Sequence, residues 1–284
     1  MSVAAGEKVI IFGARYGKEL YKKIETEKTV VCFTDNDKSL WGTSIYGIPV
    51  FPPEEAIEMF YDRIYIGTFT GMHEVSLQLL HMGVNTLSID VSYVSMPVLA
   101  RESFIQNLSE EIYKQNVAGS VAEAGVYRGE FAKMINHYFF DRKLYLFDTF
   151  SGFTSEDIDT DVSLEKTDAM FIGKFNNTSE ELVMSKMPYP ENCIIRKGHF
   201  PETTQGIEEK FCFVNLDMDL FMPTLEGLRF FVPKMNEGGV ILIHDYFNES
   251  FPNIKKAVDL FQSESNIKLI KIPIGDAWSL AIIF

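Results

Sequence analysis

A chain of 284 residues has room for one large domain or two small ones, and its composition, 46% hydrophobic and 23% charged, is that of a globular protein rather than a disordered one. The net charge of −14 argues against a nucleic-acid partner, because phosphate contacts need a basic face. No apolar run reaches the roughly 18 residues of a membrane span, and the first residues carry no leader pattern, so we expect a cytoplasmic protein.

The first third of the chain alternates strand and helix patterns. A short apolar strand at residues 9–12 leads into a turn bounded by Gly13 and Gly17, and the next strand ends close to Asp35. A strand, a glycine turn and an acid after the second strand form half of a nucleotide-binding fold. These three residues are therefore a possible nucleotide site.

Two more strands are expected in this region, at residues 63–67 and 85–89. The alternation then breaks at Pro97, since proline interrupts both helix and strand patterns. A polar amphipathic helix follows over about residues 101–116.

The alternation restarts in the second part of the chain. An apolar strand at residues 120–124 turns through Gly125 and Gly129 into a helix, and the following strand ends at Asp148. An acid at that place can accept hydrogen bonds from both hydroxyls of a ribose, as in sheets that hold an adenosine. The long polar stretch 151–179 is expected to form a lid, because loops of this length are usually functional.

The rest of the chain adds five strands, expected at residues 193–196, 211–216, 240–243, 268–272 and 278–284. The last two are so close in sequence that they must pair as an antiparallel hairpin at the sheet edge. The predicted fold is therefore α/β, with two Rossmann-like doubly wound domains, the second ending in that hairpin.

The domain boundaries follow from this pattern. We expect a small Rossmann-like domain over residues 1–98, a linker helix over 99–118, and a larger doubly wound domain over 119–284.

Acidic residues and a histidine follow two strands of the larger domain. Asp217 and Asp219 come after one strand, and His244 and Asp245 after the next. Parallel strands that end together would gather these side chains, and oxygen-rich clusters suit magnesium or another hard divalent cation. Such an ion could bind a substrate hydroxyl and lower its pKa. The alternative is structural: two of the acids cap loops, and Asp219 pairs with a basic side chain.

Five segments together resemble the macrocin O-methyltransferase family: Glu123-Ala-Gly-Val-Tyr-Arg-Gly129, Phe147-Asp-Thr-Phe-Ser-Gly-Phe153, Lys197-Gly-His-Phe-Pro-Glu-Thr203, Leu216-Asp-Met-Asp-Leu-Phe-Met-Pro-Thr224 and Gly238-Gly-Val-Ile-Leu-Ile-His-Asp-Tyr246. The resemblance covers roughly 165 residues, in the right order. It implies a class I methyltransferase fold and magnesium-dependent methylation of sugar hydroxyls with S-adenosylmethionine. It does not name the substrate.

The resemblance also assigns roles to residues. The turn that begins at Glu123 would border the methionine part of the cofactor, Asp148 its ribose, and Gly198 the region near the adenine. The residues expected at the cofactor are Glu123, Gly125, Tyr127, Gly129, Asp148, Thr149, Gly198, His199 and Asp217. The residues expected at the metal are Asp217, His244 and Asp245.

Two positions depart from the family pattern. His244 stands where the family has the first of two acids, and an imidazole removes one negative charge and shifts preference from magnesium toward metals such as manganese. Related catechol-type enzymes carry a lysine as general base three residues after the first acid, where this chain has Leu220. The catalytic base is therefore open, with His244, Asp219 and His199 as candidates in that order.

The N-terminal region carries a separate resemblance. Gly13-Ala-Arg-Tyr-Gly17 and Asp35-Asn-Asp37 are similar to the small nucleotide-binding domains that precede some sugar-modifying enzymes. By that resemblance the domain could hold a nucleotide or a nucleotide-sugar. It could equally be a degenerate domain that docks or dimerises, which would make the protein a homo-oligomer.

The sequence thus predicts transfer of a methyl group from S-adenosylmethionine to a hydroxyl of a sugar or a glycosylated metabolite, with a divalent metal, magnesium or manganese, assisting. The partner would be a small molecule or a glycan. One alternative is an NAD-linked sugar-nucleotide enzyme that uses the N-terminal turn, although the chain lacks a Tyr-x-x-x-Lys pair. The other is a non-catalytic scaffold that keeps a degenerate methyltransferase pocket.

Overall fold

A computed structural model describes residues 6–68, 71–155, 157–158 and 173–284. The chain forms two compact units, Met1–Leu99 and Ala100–Phe284. Each contains its own sheet, so the α/β prediction of two doubly wound sheets is confirmed. Among the described residues, no helix combines the length and the apolar content needed to cross a membrane.

The sheet of the first unit has six strands: β1 (Lys8–Phe12), β2 (Thr29–Thr34), β3 (Ser44–Ile45), β4 (Ile48–Phe51), β5 (Arg63–Ile66) and β6 (Ile89–Asp90). They lie in the order β3-β4-β2-β1-β5-β6, and all neighbours are parallel except the β3–β4 pair. Helices α1 (Gly17–Ile24), α2 (Pro53–Ala56) and α3 (Met72–His81) connect them. This is the strand order of a doubly wound nucleotide-binding half.

Two local features of this unit differ from the sequence prediction. Strands β3 and β4 form a hairpin that was not predicted, closed by Tyr46 and Gly47 at φ 51° and 80°, the conformation that two-residue hairpin turns require. The strand expected at residues 85–89 is shorter, because the Asn85 side chain accepts a hydrogen bond from the Leu87 N–H and starts a helical turn instead. In both places, the conformation of a local turn determines the structure.

The break predicted at Pro97 is wrong. One helix, α4 (Ser92–Lys114), continues through the proline, which is its sixth residue, so the helix tolerates the loss of one backbone hydrogen bond there. Val94 is buried in the core of the first unit, whereas Ile105 and Ile112 are buried in the core of the second. The segment expected to be a linker therefore contributes to a hydrophobic core.

The sheet of the second unit has seven strands: β7 (Ser120–Ala124), β8 (Leu144–Asp148), β9 (Cys193–Lys197), β10 (Phe211–Leu216), β11 (Met235–Ile243), β12 (Ile270–Pro273) and β13 (Leu280–Ile283). Their order is β12-β13-β11-β10-β7-β8-β9. The five strands from β7 to β11 run parallel, and β13 pairs antiparallel with both β11 and β12. The predicted terminal hairpin is thus confirmed, with shorter strands than expected.

Helices cover both faces of this sheet: α5 (Glu130–Tyr138), α6 (Glu180–Met184), α7 (Phe221–Phe231) and α8 (Pro252–Ser265). Two separate apolar clusters result, one around α7 and α8 and the other around α4 and α5. Every residue of β7 and β10 is buried, as expected for central parallel strands that are covered on both faces.

The register of the central strands sets which residues meet at the carboxyl edge. Leu216 of β10 is level with Ala124 of β7 on one side and with Ile243 of β11 on the other. The residues that follow, among them Gly125 and Asp217, therefore lie side by side at this edge. Crowding there is severe: a Cβ atom built on Gly125 would lie 1.9 Å from the carbonyl oxygen of Asp217.

We predict that Gly125→Ala destabilises the second unit far more than Gly206→Ala. Both glycines have φ near +80°, but a Cβ on Gly206 meets nothing within 4 Å. The left-handed backbone alone should cost Gly206→Ala about 1 kcal/mol of unfolding free energy. The clash at Gly125 should raise the loss to about 3 kcal/mol or more. Urea unfolding followed by circular dichroism measures both, and equal losses would contradict the argument.

Candidate active site

The turn after β7 is held by the acid that closes β8. Asp148 Oδ2 accepts hydrogen bonds from the backbone N–H groups of Val126 and Tyr127, both at 2.8 Å. Its Oδ1 accepts a third, from the Phe150 N–H, at 2.7 Å. Asp148 thus fixes the turn that leads into α5, a role that the sequence analysis did not predict. Its contact with a ribose stays a prediction.

The turn itself needs unusual backbone angles. Gly125, Tyr127 and Gly129 all have positive φ values, 86°, 49° and 78°, and Tyr127 adopts this conformation without the freedom of a glycine. Gly129 precedes the first residue of α5, where a Cβ would lie 3.1 Å from Val183. A non-glycine residue in the left-handed region costs free energy, and such residues concentrate at functional sites.

The last described part of the predicted lid stretch, residues 173–179, packs against this turn. The Tyr127 hydroxyl donates to Asn177 Oδ1 at 2.7 Å, and the Thr178 hydroxyl donates to the Tyr127 carbonyl. Phe175 packs edge-on against the Tyr127 ring, with ring centroids 5.0 Å apart. Most of the stretch expected to be a lid, residue 156 and residues 159–172, lies outside the described residues.

Glu123, the fourth residue of strand β7, is buried. Its Oε1 accepts a hydrogen bond from the Asn215 side chain at 2.9 Å, and its Oε2 is shielded from solvent with no partner among the described residues. Burial first, and the charge of Asp217 second, raise the pKa of Glu123 well above its usual value. An orphaned carboxyl oxygen at the sheet edge is a feature that a ligand would satisfy.

The three residues predicted as metal ligands lie close together, next to Glu123. Asp217, His244 and Asp245 each present one ligand atom, and these atoms lie within 4.8 Å of one another. His244 Nδ1 is 3.0 Å from Asp217 Oδ1 and 3.2 Å from Asp245 Oδ2. The cluster forms because Asp217 follows β10 and the other two follow β11, its parallel neighbour.

The charges of the cluster are strongly coupled. Burial raises the pKa of Asp217, but the charge and hydrogen bond of His244 and the charge of Arg101 outweigh it and lower that pKa to about 2. Burial lowers the pKa of His244, but Asp217 and Asp245 outweigh it and raise that pKa to about 10. The two carboxylates therefore favour the protonated imidazole, which would have to give up its proton to ligate a metal ion.

Asp219 lies next to this cluster. Burial, then the charges of Asp245 and Asp217, raise the pKa of Asp219 well above its usual value. Both Asp219 and Asp245 have positive φ, 60° and 58°. Like Tyr127, these two acids hold a left-handed backbone conformation at the carboxyl edge of the sheet.

The sequence analysis missed one member of the site, Arg101. Its Nη2 donates to Asp217 Oδ2 at 3.3 Å, and its guanidinium stacks over the Phe131 ring at 4.2 Å. A signal was present: Arg101 shares a helical stripe with Ile105 and Ile112, which are both buried. A charged residue on the buried stripe of a helix needs a partner, which here is an acid of the site.

The remaining predicted residues lie apart from the acid cluster. Gly198 and His199 follow β9, which is three strands away from β10, a distance of about 14 Å across a sheet. His199 is 60% exposed, and its Nδ1 is 3.5 Å from Asp157 Oδ1. Thr149 accepts a hydrogen bond from the Ser151 N–H, and Leu220 is buried. Of the three candidate bases, the structure brings His244 and Asp219 to the cluster but not His199.

The glycine turn of the first unit is built like the turn after β7. Asp35 Oδ2 accepts from the Ala14 N–H at 2.8 Å, and its Oδ1 accepts from the Asp37 N–H at 2.9 Å. A Cβ on Gly17 would lie 2.5 Å from Ile11 Cγ2, so close packing of α1 on β1 already explains that glycine. A nucleotide at Gly13, Gly17 and Asp35 stays a prediction.

A sequence profile described as macrocin O-methyltransferase matches residues 87–278, about two thirds of the chain. The chain belongs to the macrocin O-methyltransferase family. The predicted resemblance is therefore confirmed, as is the prediction of a methyltransferase enzyme. Residues 5–89 match a second profile, described as the N-terminal domain of C2185-like proteins. A search by sequence among functionally curated proteins found no match.

Two solved structures, an O-methyltransferase and a methyltransferase, are similar to this chain in fold. The O-methyltransferase NovP is 24% identical, with a TM-score of 0.54, over 65% of this chain and 79% of NovP. The calicheamicin methyltransferase CalS11 is 16% identical, with a TM-score of 0.53, over 75% of this chain and 85% of CalS11. At these identities the likeness supports the fold.

Membership of this family implies a divalent cation and S-adenosylmethionine, and the residues of the chain fit both. For a divalent cation, the donor set is two carboxylates and an imidazole with adjacent ligand atoms, which is a combination that binds such ions. For S-adenosylmethionine, the strained glycine turn lies beside two buried polar atoms without partners among the described residues, Glu123 Oε2 and Arg101 Nε. Both fits rest on the carboxyl edge of one sheet.

We predict that Asp148→Asn lowers the unfolding free energy by about 1–3 kcal/mol, the cost of leaving a backbone donor without an acceptor. An amide can turn its oxygen toward only one side, whereas the carboxylate accepts N–H groups at both oxygens. Urea unfolding checks this. Asp259→Asn, which removes an exposed pair with Lys271, is the control and should change stability by less than about 0.5 kcal/mol. Equal effects would contradict the turn-fixing role.

Proposed function

We propose that this chain transfers the methyl group of S-adenosylmethionine to a hydroxyl group of a sugar or glycosylated metabolite, assisted by a divalent cation. One observation carries the proposal. The acid cluster of Asp217, His244 and Asp245 lies directly beside the strained turn at Gly125, on the edge where doubly wound sheets bind ligands. A methyl donor and a hydroxyl activated for attack could therefore meet there.

The cofactor would lie along the turn after β7. S-adenosylmethionine supplies an electrophilic methyl group on a sulfonium cation. Asp217, whose pKa is lowered, stays ionised at this edge and favours a cationic ligand, in keeping with the net charge of −14 on the chain. Tyr127, together with the segment that packs against it, would keep water from the reacting atoms, which favours an in-line displacement.

The divalent cation, magnesium or manganese, would be held by Asp217, His244 and Asp245. Bound there, it would polarise the acceptor hydroxyl and lower its pKa. One ligand side chain is oriented by a neighbour: Asp245 Oδ1 accepts a hydrogen bond from the Asn248 side chain at 2.8 Å. Hydrogen bonds that orient ligating side chains are characteristic of metal sites. The backbone N–H of His244 donates to the Leu216 carbonyl, which fixes the main chain at this ligand.

The acceptor proton needs a destination at the same edge. His244 and Asp219 are the base candidates that lie in the cluster, and because His244 would ligate the cation, Asp219 is the one left to accept the proton. A sugar acceptor follows from the family resemblance, since macrocin is the substrate in the family description. Family membership favours the enzyme over the scaffold alternative, and the match to residues 87–278 favours methyl transfer over NAD chemistry.

The test is methyl transfer by the full chain. The protein is incubated with S-adenosylmethionine, with Mg²⁺ or Mn²⁺, and with a panel of sugar nucleotides and glycosylated metabolites, and the formation of S-adenosylhomocysteine is followed. We expect turnover with at least one sugar hydroxyl and its loss when EDTA is added. No binding of S-adenosylhomocysteine by calorimetry, with or without metal, would overturn the proposal.

We predict that Asp245→Asn weakens Mn²⁺ binding at least tenfold, about 1.4 kcal/mol. The substitution removes one anionic ligand while it leaves the size of the side chain unchanged. Calorimetric titration with MnCl₂ measures the affinity, and Asp259→Asn, whose side chain lies on the surface of α8, should match the wild type. Unchanged Mn²⁺ affinity in Asp245→Asn would exclude this cluster as the metal site.

A further inference from the structure

Arg101 has more hydrogen-bonding capacity than the described residues use. A guanidinium carries five N–H donors, and the structure gives Arg101 one polar partner, Asp217, at the long distance of 3.3 Å. Its Nε is shielded from solvent and has no acceptor among the described residues. Leaving a buried donor of a charged group unsatisfied is costly, so this N–H indicates a missing anionic or polar partner.

The guanidinium lies against an aromatic ring. Its Cζ is 4.2 Å from the centroid of the Phe131 ring, and only 14% of the Arg101 side chain is exposed. The contact with Phe131 and the ion pair with Asp217 hold the group in place, while its Nε–H has no acceptor among the described residues. This arrangement suits a carboxylate, which accepts two parallel N–H bonds from an arginine.

Arg101 is also the cation at the carboxyl edge of the sheet that could pair with an anionic ligand. An entering anion would meet the ionised carboxylate of Asp217, whereas burial raises the pKa values of Glu123 and Asp219 and favours their neutral forms. His244 is paired with a carboxylate on each side. Among the described residues of the cluster, Arg101 is therefore the group that could offset the charge of a ligand carboxylate.

The position of Arg101 indicates which carboxylate. Phe131 is the second residue of α5, immediately after the turn that ends at Gly129. The charge of Arg101 also acts on Glu123, where it opposes the rise in pKa that burial causes. Both neighbours belong to the strand, turn and helix along which the proposed function places the cofactor, and the family resemblance assigns the turn that begins at Glu123 to its methionine part. That part carries the one carboxylate of S-adenosylmethionine.

We propose that Arg101 is the binding residue for the methionine carboxylate of S-adenosylmethionine, with Nε donating to it. This inference rests on the proposed function. In the structure, Arg101 contacts Asp217 Oδ2, so binding of the methionine carboxylate would exchange one carboxylate partner for another. The long Arg101–Asp217 contact is consistent with a pairing that can be replaced.

A matched pair of ligands tests the proposal. S-adenosylhomocysteine carries the carboxylate, and its decarboxylated analogue, the adenosyl thioether with an aminopropyl chain, lacks only that group. The affinities of both are measured by calorimetry for the wild type and for Arg101→Met. Methionine keeps an unbranched chain over Phe131 but removes the charge and the donors. Arg229→Met, at a surface pair with Glu226 and Glu264, is the control.

We expect the wild type and Arg229→Met to bind S-adenosylhomocysteine at least tenfold more tightly than the analogue. Arg101→Met should bind the two ligands within about twofold of each other, because it has lost the group that distinguishes them. A merely structural role of Arg101 would weaken both ligands alike and preserve the ratio, and that outcome would overturn the inference.

The wild-type measurement can overturn the inference even if Arg101→Met does not fold. Equal affinity of the wild type for the two ligands would overturn the role of Arg101 while leaving the proposed function intact. A wild type that binds neither ligand would instead overturn the proposed function. The two failures are therefore distinguishable.

Discussion

The close passage of Gly125 beside the carbonyl of Asp217 is the constraint on which the site depends. No side chain fits between the two chain segments, so the end of β7 can approach the end of β10 only at a glycine. That approach sets the turn before α5 and fixes the backbone of Asp217 through its N–H bond to the Ala124 carbonyl at 2.8 Å. This contact therefore determines the positions of both the proposed cofactor turn and the acid cluster.

Charge balance is the second organising feature. Carboxylates buried together cannot all ionise, because burial and mutual repulsion favour the neutral form. Here Asp217 stays ionised between two cations, Arg101 and His244, while Glu123 and Asp219 have raised pKa values. The histidine that departs from the family pattern thus supplies a positive charge between two acids. The arrangement keeps an acidic edge folded in the absence of ligands.

The sequence predicted the parts of this protein that periodicity and chain topology control. The strand order, the closing hairpin and the meeting of Asp217 with His244 and Asp245 all follow from apolar runs that end together. It failed where one local interaction competes with a pattern. Helix α4 continues through Pro97, and the use of Asp148 by backbone N–H groups leaves no trace in spacing. Arg101 was missed because its partner is 116 positions away in the chain.

The two glycine turns of the chain have a consequence for interpreting related sequences. In each unit, the acid after the second strand accepts N–H groups from the turn after the first, as Asp35 does with Ala14 and Asp148 with Val126. The spacing of glycines and acid is thereby maintained by folding alone. A motif search that scores this spacing would mark both units as nucleotide sites with equal weight. Buried polar atoms without partners are a better discriminator, and Glu123 and Arg101 provide them in the second unit.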